Sequence, residues 1–205
     1  MPKSTKPLLN ADGTLLVELV SAAAQALEAN RDTINALNVF PVPDGDTGTN
    51  MLLTLKTVLK DLDGHVPTSV EEVSKRMASS ALLGARGNSG LILAQFFKGL
   101  AEALYGESKM GGEQFTRSIR IAATKSYGVV PNPVEGTMLT VYRECAEAAE
   151  ISSLENKSLD QVLADVAAAS MDSVSRTPGM LPVLAEAKVV DSGGFGFAVM
   201  LDGAL

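Results

Sequence analysis

The sequence has little cysteine, histidine and aromatic residue, and each of these shortages argues against a kind of site or fold. It has one cysteine, Cys145, so no disulfide can form within the chain and no cysteine cluster can bind zinc. It has one histidine, His65, in the turn-like sequence DGHVP, which predicts an exposed loop residue rather than a catalytic base. Tryptophan is absent, and aromatic residues make up 4% of the chain. Because alanine, leucine, valine and methionine dominate instead, the composition favours packed α-helices over a β-sandwich.

The net charge and the length of the apolar runs argue against a nucleic-acid-binding protein and a membrane protein. The net charge is −7 and no run of lysine or arginine occurs, so nucleic acid is not an expected partner. The apolar run LILAQFF ends at Lys98, and the N-terminus lacks the apolar segment of a signal peptide. We therefore expect no stable membrane insertion and a cytoplasmic location. With 205 residues and 46% hydrophobic content, residues 1–205 can form one core and are expected to be a single domain.

Hydrophobic periodicity predicts an all-α chain. Asp12 is placed to cap a first helix that runs through Leu27, and a short helical piece follows through Ile34 and Leu37. Four further helices are predicted at about 49–62, after the capping-box sequences at Thr68 and Ser69, from Leu91, and at about 113–127. The next ones are predicted from Glu135 and at 159–174, the second with a cap at Ser158. The segment TPGMLPVLAEAK is predicted to be partly irregular and partly helical, and a last helix follows Asp191.

The segment at 37–51, LNVFPVPDGDTGTNM, is predicted to be a functional loop. Its prolines keep the backbone extended, and Gly45 lies between Asp44 and Asp46. Residues two apart in an extended segment can face the same side, so the two carboxylates can be directed at one site. Carboxylate oxygens are the ligands that Mg²⁺ prefers. The alternative is that one aspartate only caps the following helix, which fits the residue types equally well.

Three more polar, glycine-bearing loops precede predicted helices: GARGNSG, PVEGT and DSGG. In GARGNSG, Arg86 supplies a positive charge and Asn88 or Ser89 can cap the helix, although an ordinary interhelical turn has the same composition. An antiparallel bundle brings alternate loops to one end, where helix N-termini and two carboxylates holding Mg²⁺ can bind a polyphosphate. The GxxxxGK[ST] loop is absent from the sequence.

Four motifs occur in order over nearly the whole chain: NVFPVPDGDTGTNM, GARGNSGLILAQ, PVEGTMLTV and VVDSGGFG. Together they resemble the nucleotide-binding N-terminal domain of the fatty acid kinase A family, which is related to the ADP-binding L subunit of bacterial dihydroxyacetone kinases. The resemblance implies a closed barrel of about eight antiparallel helices that holds Mg–ATP at one end. It also implies that the chain is the N-terminal part of a longer protein.

The resemblance assigns roles to individual residues. It makes Asp44 and Asp46 ligands of two Mg²⁺ ions that bridge the nucleotide phosphates, and Arg86 is a candidate transition-state cation. It places nucleotide contacts at Thr47, Gly48, Thr49, Asn50, Asn88, Ser89 and Gly90 near the phosphates, at Thr137 and Met138 near the base and ribose, and at Asp191, Ser192 and Gly193, which close the site.

The chain departs from the resembling families at two positions. Dihydroxyacetone kinase relatives have a further aspartate before the acidic pair, where this chain offers only Asn38 as a third metal ligand. Fatty acid kinase relatives tend to have glycine before VVDSGG, where this chain has Lys188, so a changed local turn is expected.

The function implied by the resemblance is phosphorylation of a fatty acid, held by a separate carrier protein of DegV type, to an acyl-phosphate. A carboxylate acceptor is already ionised at neutral pH, and the sequence offers no obvious general base. Two alternatives stay open: the nucleotide subunit of a dihydroxyacetone kinase, and a non-catalytic nucleotide-binding module. The isolated domain is expected to bind ATP or ADP but to be inactive alone, and further domains are the candidates for any homodimer contact.

Overall fold

A computed structural model describes residues 7–66 and 69–205. The described residues form nine α-helices and a 3₁₀ turn at Thr177–Gly179, and their only β pairing is a single bridge between Ala11 and Met110. The helices are α1 (Gly13–Ala36), α2 (Thr47–Leu62), α3 (Val70–Gly84), α4 (Gly87–Ala103), α5 (Gly112–Tyr127), α6 (Met138–Leu154), α7 (Leu159–Arg176), α8 (Pro182–Ala187) and α9 (Ser192–Gly203). The predicted all-α class is confirmed.

Eight of these helices form a closed ring. Each helix from α1 to α6 packs on the next in the chain, and α9 packs on both α7 and α1. The short α8 lies outside the ring against the 3₁₀ turn. Because most of the connections are short, neighbouring helices alternate in direction. The N-termini of α2, α4, α6 and α9 therefore lie at one end of the ring, as the predicted barrel requires.

The interior of the ring is apolar. The rings of Phe96, Tyr142 and Phe197 lie 4.5 to 5.0 Å apart, centroid to centroid. An apolar cavity of about 110 Å³ lies beside this cluster. Cys145 is fully buried, and burial raises the pKa of its thiol, which makes the thiolate scarce. Within the described ranges, no helix combines the length and the apolar character needed to cross a membrane.

Two helix N-termini predicted from the sequence are found with their capping bonds. The backbone N–H of Leu15 donates to Asp12 Oδ1 over 3.0 Å, so Asp12 caps α1 as predicted. The N–H of Glu72 donates to Ser69 Oγ over 3.1 Å, so Ser69 caps α3. Thr68, the other predicted capping-box residue, lies outside the described residues.

Several helix boundaries differ from those predicted. Helix α1 continues without a break to Ala36, so the separate short helix through Leu37 was wrong. Helix α2 begins at Thr47, two residues earlier than predicted. Helix α6 begins at Met138 and not at Glu135, because Gly136 has a left-handed backbone with φ +83° that a right-handed helix cannot contain.

Candidate functional site

A pocket of about 450 Å³ lies at the end of the ring where α2, α4, α6 and α9 begin. Its volume falls within the range of about 300–1,000 Å³ that is typical of small-ligand sites. All four predicted loops contribute to it, through Asn38, Asp44, Asp46, Thr47, Asn50, Asn88, Ser89, Thr137, Met138, Asp191, Ser192 and Gly193. The structure thus brings together loops that are far apart in sequence.

Apolar residues that the sequence analysis did not single out form much of the pocket wall. Val129, Val130, Pro131 and Val134 come from the connection between α5 and α6, and Leu139 comes from the first turn of α6. Val134 lies within the PVEGT motif and the other four lie on either side of it, and this position is the signal that could have identified them. The α5–α6 side of the pocket is therefore suited to a flat apolar group, and the acidic side is suited to a charged one.

The two predicted carboxylates face the same pocket. Asp44 is exposed and Asp46 is half-buried, and the turn between them is made by Gly45 with φ +68°. Asp46 occupies the N-cap position of α2, but its side chain accepts no capping hydrogen bond. The alternative interpretation, in which Asp46 only caps the helix, is therefore wrong. Among the described residues, no group of three or more His, Cys, Asp or Glu side chains forms a metal site, so the acidic pair stands alone.

Asn38 lines the pocket, but its polar atoms are already used within the acidic loop. Its Oδ1 accepts hydrogen bonds from Asp46 N at 3.2 Å, Thr47 N at 3.2 Å and Thr47 Oγ1 at 2.8 Å. Its Nδ2 donates to the carbonyl of Val42 over 2.9 Å. An amide oxygen that accepts three hydrogen bonds has no lone pair free for a cation. The structure makes Asn38 a brace of the loop instead of the third metal ligand suggested by the sequence.

Three other predicted contact residues lie between helices and do not line the pocket. A Cβ on Gly48 would lie 2.6 Å from the carbonyl oxygen of Arg31, and one on Gly90 would lie 2.5 Å from Thr54 Oγ1. Thr49 exchanges two hydrogen bonds with the Asn35 side chain of α1, at 2.9 and 3.1 Å. These residues set the distances between helices, and they do not have the predicted direct contact with the ligand pocket.

The four helix N-termini at the pocket differ in how their first N–H groups are satisfied. At α2, the side chains of Asn38 and Asn35 accept two of them, from Thr47 and Thr49. At α9, the carboxylate of Asp191 accepts one, from Gly194. At α6, the N-cap residue Thr137 provides no capping hydrogen bond. At α4, the N-cap residue Arg86 provides no capping hydrogen bond, and Thr54 Oγ1 accepts only from the N–H of Arg86 itself, over 3.4 Å. The starts of α4 and α6 are therefore better placed than those of α2 and α9 to donate backbone N–H groups to an anion.

The start of α4 is also tightly packed against α2. Gly87 has φ +56°, and a Cβ added to it would lie 2.4 Å from Asn50 Nδ2, so only glycine fits. Ser89 Oγ donates to the carbonyl of Thr47 over 3.4 Å. The helix begins at Gly87 with Arg86 at the N-cap position, so the prediction that Asn88 or Ser89 caps it was wrong. Both residues face the pocket instead.

Positive charge is scarce around the pocket. Arg86 is exposed and adjoins the lining residue Gly87, but it does not itself line the pocket. No lysine, arginine or histidine is found among the described lining residues. His65 lies in the connection between α2 and α3, at the other end of α2, where it contacts Glu72. A polyanion bound here would therefore need a cation that the side chains of the pocket do not supply.

The connection before α6 is braced by Glu135, a residue that the sequence analysis placed inside a helix. Tyr127 and Thr140 donate their hydroxyls to its carboxylate over 2.9 and 2.8 Å. The N–H of Gly136 in turn donates to Thr140 Oγ1 over 2.8 Å. This chain of hydrogen bonds fixes the backbone just before Thr137, at the pocket wall. A glutamate preceding a glycine at a helix start was the available sequence signal.

Lys188 ends α8 in a conformation that usually favours glycine. Its backbone is left-handed, with φ +58°, and its N–H bonds back to Ala185 O as a helix-ending glycine would. Whatever turn a glycine adopts there in relatives, a changed local turn stays a prediction. The lysine adopts a conformation that costs a residue with a Cβ about 1–2 kcal/mol.

Comparisons with known proteins agree with this fold. Residues 41–205 match the model of the DAK2 domain. Among curated relatives, an uncharacterized protein of Staphylococcus saprophyticus is 39% identical over 194 residues, and Protein YloV of Bacillus subtilis is 37% identical over 194 residues. Each alignment covers 95% of this chain and 35% of the relative. The chain thus spans about a third of the length of these relatives.

The solved structures of dihydroxyacetone kinase from C. freundii are similar to this fold. The complex with AMP-PNP and Mg²⁺ has a TM-score of 0.70 at 16% identity, and the native form has a TM-score of 0.72 at 15% identity. Each match covers 99% of this chain, and 35% or 36% of the kinase chain respectively. The ring of helices, the pocket built from its four loops and the match over residues 41–205 lead to one conclusion: this chain belongs to the DAK2 domain family.

Proposed function

We propose that the pocket binds Mg–ATP and that the domain supplies the phosphoryl group for phosphorylation of a fatty acid. The observation that carries this proposal is the arrangement of the acidic pair and the uncapped start of α4 around one 450 Å³ pocket. The apolar wall from Val129 to Val134 fits an adenine base, and the acidic side fits the metal and phosphates. The C. freundii kinase, whose structure contains AMP-PNP and Mg²⁺, has the same fold.

The donor set of the pocket fits Mg²⁺ with nucleotide phosphates. Magnesium is commonly held by one or two carboxylates together with substrate phosphates and water, and Asp44 and Asp46 would be those carboxylates. Without a divalent cation, the triphosphate would be repelled by both aspartates, and no lysine, arginine or histidine among the described lining residues offsets that repulsion. Bound Mg²⁺ would neutralise charge on the phosphates during transfer. We propose two ions, in line with the resemblance.

The residues of the chain would contribute position and hydrogen bonds. The N–H groups at the start of α4 and the hydroxyl of Ser89 would hold phosphate oxygens, while Asn38 keeps the acidic loop in place. Phosphoryl transfer depends mainly on such positioning and on charge stabilisation. Arg86 adjoins the pocket, and we propose that it reaches the transferred phosphate.

The acceptor we propose is a fatty acid carboxylate presented by a separate carrier protein of DegV type. A carboxylate oxygen would form the new bond to the γ-phosphorus, the bond to the β–γ bridging oxygen would break, and ADP would leave with that electron pair. No proton has to be removed from the acceptor. This suits a pocket whose lining, over the described residues, offers three aspartates and no histidine or lysine. The exposed apolar residues Pro41 and Val42 beside Asp44 also suit an apolar acceptor or its carrier.

Isothermal titration calorimetry of Mg–ATP against the wild-type domain tests nucleotide binding. The double variant Asp44→Ala, Asp46→Ala is expected to lose at least tenfold in affinity, or about 1.4 kcal/mol. A matched control is the double variant Asp61→Ala, Asp63→Ala, which removes two acids of the same spacing at the other end of α2. Equal affinities for the two double variants would contradict the proposed site.

The acceptor is tested with the full-length protein that contains this domain. Incubation with ATP, Mg²⁺, carrier and fatty acid, followed by trapping with hydroxylamine, is expected to give an acyl hydroxamate. Phosphorylation of dihydroxyacetone bound to a partner subunit would favour the alternative suggested by the C. freundii kinase fold. Tight ATP binding without transfer to either acceptor would instead indicate a non-catalytic module. The isolated domain is expected to bind nucleotide and to transfer no phosphate.

A further inference from the structure

The connection between α5 and α6 supplies most of the apolar wall of the pocket, although it is irregular in structure. It comprises residues 128–137, which lie between the last residue of α5 and the first residue of α6. Six of these ten residues line the pocket: Val129, Val130, Pro131, Asn132, Val134 and Thr137. The shape of this side of the pocket therefore depends on what holds the connection in place.

Glu135 fastens the connection to both of its helices. Tyr127, the last residue of α5, donates its hydroxyl to Glu135 Oε1 over 2.9 Å. Thr140 and Arg143 of α6 donate to Glu135 Oε2 over 2.8 and 3.0 Å. We call these three hydrogen bonds the Glu135 clamp. Since both oxygens of the carboxylate are used, one side chain joins the end of α5 to the first turns of α6.

The clamp restricts the part of the connection that forms the wall. The hydrogen bond between Tyr127 and Glu135 closes a loop of seven intervening residues, 128–134. An irregular segment of this length samples many conformations when it is open, and a ligand that packs on it must then pay the entropy of ordering it. Affinity falls in proportion to the fraction of molecules that hold the binding conformation. Glu135 does not itself line the pocket, so the clamp can affect a ligand only through the wall.

The acidic side of the pocket is held by other contacts. Asn38 braces the acidic loop through its hydrogen bonds to Asp46 and Thr47. The start of α6 is anchored separately, because a Cβ on Gly136 would lie 2.9 Å from the Cβ of Leu181. Loss of the clamp should therefore loosen the apolar wall and leave the acidic side and the start of α6 in place.

We infer that Glu135 is a positioning residue that holds the wall of the α5–α6 connection in the conformation that binds the base of the nucleotide. This inference rests on the proposed nucleotide function and deepens it, because it assigns the base to one wall and names the side chain that holds that wall. A ligand that carries a base should depend on the clamp. A ligand that consists of phosphates and metal alone should not.

The variant Glu135→Ala removes the whole clamp. The Glu135 side chain is 53% exposed, so its loss leaves no internal cavity. Calorimetry is performed with two probes, Mg–ATP and Mg–tripolyphosphate, the second of which lacks the base and ribose. We expect the variant to bind Mg–ATP about tenfold more weakly, as it would if about one molecule in ten held the binding conformation of the wall. We expect it to bind Mg–tripolyphosphate as wild type does.

The matched control is Glu107→Ala. Glu107 lies in the connection between α4 and α5, at the other end of the ring, and accepts a 2.7 Å hydrogen bond from Arg117 of α5. This variant loses the same chemical group from another helix connection and should leave both affinities unchanged. The positioning role is overturned if Glu135→Ala weakens both probes equally or neither, or if Glu107→Ala weakens Mg–ATP binding as much as Glu135→Ala does.

Two milder variants test the hydrogen bonds of the clamp. Glu135→Gln keeps one acceptor oxygen and can donate its amide to the Tyr127 hydroxyl, so it should recover most of the Mg–ATP affinity. A glutamine variant as weak as the alanine variant would contradict the inference. Tyr127→Phe removes one hydroxyl and should weaken Mg–ATP about threefold without changing Mg–tripolyphosphate. It decides the question if Glu135→Ala does not fold, and unchanged Mg–ATP affinity in Tyr127→Phe would then overturn the role.

Amide hydrogen exchange separates failure of this inference from failure of the nucleotide proposal. In Glu135→Ala, the Val130 amide, which donates to the Tyr127 carbonyl over 3.3 Å, should exchange faster than in wild type. The Val141 amide, which donates to the Thr137 carbonyl within α6, should keep its protection. If wild type binds neither probe, the nucleotide function is wrong. If wild type and Glu135→Ala bind Mg–ATP equally and Val130 exchange is unchanged, the positioning role is wrong and the nucleotide function is retained.

Discussion

Replacing Asn38 by alanine removes the brace of the acidic loop. We expect this variant to lose more stability than is usual when one polar side chain is removed. The substitution deletes an oxygen that accepts three hydrogen bonds, two of them from Thr47, which is 8% exposed. Each buried donor left without a partner costs about 1–3 kcal/mol. With two such donors on Thr47, we expect the free energy of unfolding to fall by about 2–4 kcal/mol.

The assay for this prediction is equilibrium urea unfolding at 25 °C, followed by helical circular dichroism. Asn35→Ala is the matched control, because Asn35 also holds the start of α2 through its amide, but its bonds to Thr49 are only half-buried. We expect this control to cost about 1 kcal/mol. Equal losses for the two variants would refute the argument that burial of the donors sets the magnitude.

Asn38→Asp distinguishes the brace from a metal ligand. Aspartate keeps two acceptor oxygens but loses the donor to the Val42 carbonyl, and it adds a third negative charge close to Asp46. If Asn38 is a brace, this variant is less stable and binds Mg²⁺ no better than wild type. Tighter Mg²⁺ binding, measured by calorimetry with no loss of stability, would show that position 38 reaches the metal.

Three further predictions concern positions away from the acidic loop. Lys188→Gly relieves the left-handed strain at φ +58° and should raise the free energy of unfolding by about 0.5–1 kcal/mol in urea titrations; a decrease would show that the lysine side chain makes a compensating contact. The raised pKa of the Asp191 carboxyl means that its contribution to stability is complete below its ordinary value of 3.8 and is lost as pH rises through about 6. Unfolding of wild type and Asp191→Asn between pH 4 and 7 should therefore show the stability of wild type falling more steeply, and parallel curves would contradict this. Cys145 should resist iodoacetamide in the folded protein and react after denaturation, since burial raises the pKa of its thiol, and mass spectrometry of the native protein would detect any exception.

Local sequence signals determined much of the fold. The apolar repeat of α1 and the caps at Asp12 and Ser69 were identified correctly because capping and amphipathic periodicity depend on residues within one turn of each other. One predicted helix start was wrong because the backbone conformation of a residue mattered more than the residue types around it. The sequence EGTM looks like a helix start, but the left-handed backbone at Gly136 delays α6 to Met138.

The sequence by itself identified the acidic pair, the glycine-bearing loops and the order of the motifs, because each is a short run of residues. Only the tertiary structure decided which of those residues face the pocket. The family resemblance assigned Gly48, Thr49 and Gly90 to the ligand, yet they fill the contacts between helices. The hydrogen bond from Ser192 of α9 to Thr47 of α2 could not be foreseen either, because it joins two helix starts that meet only when the ring closes.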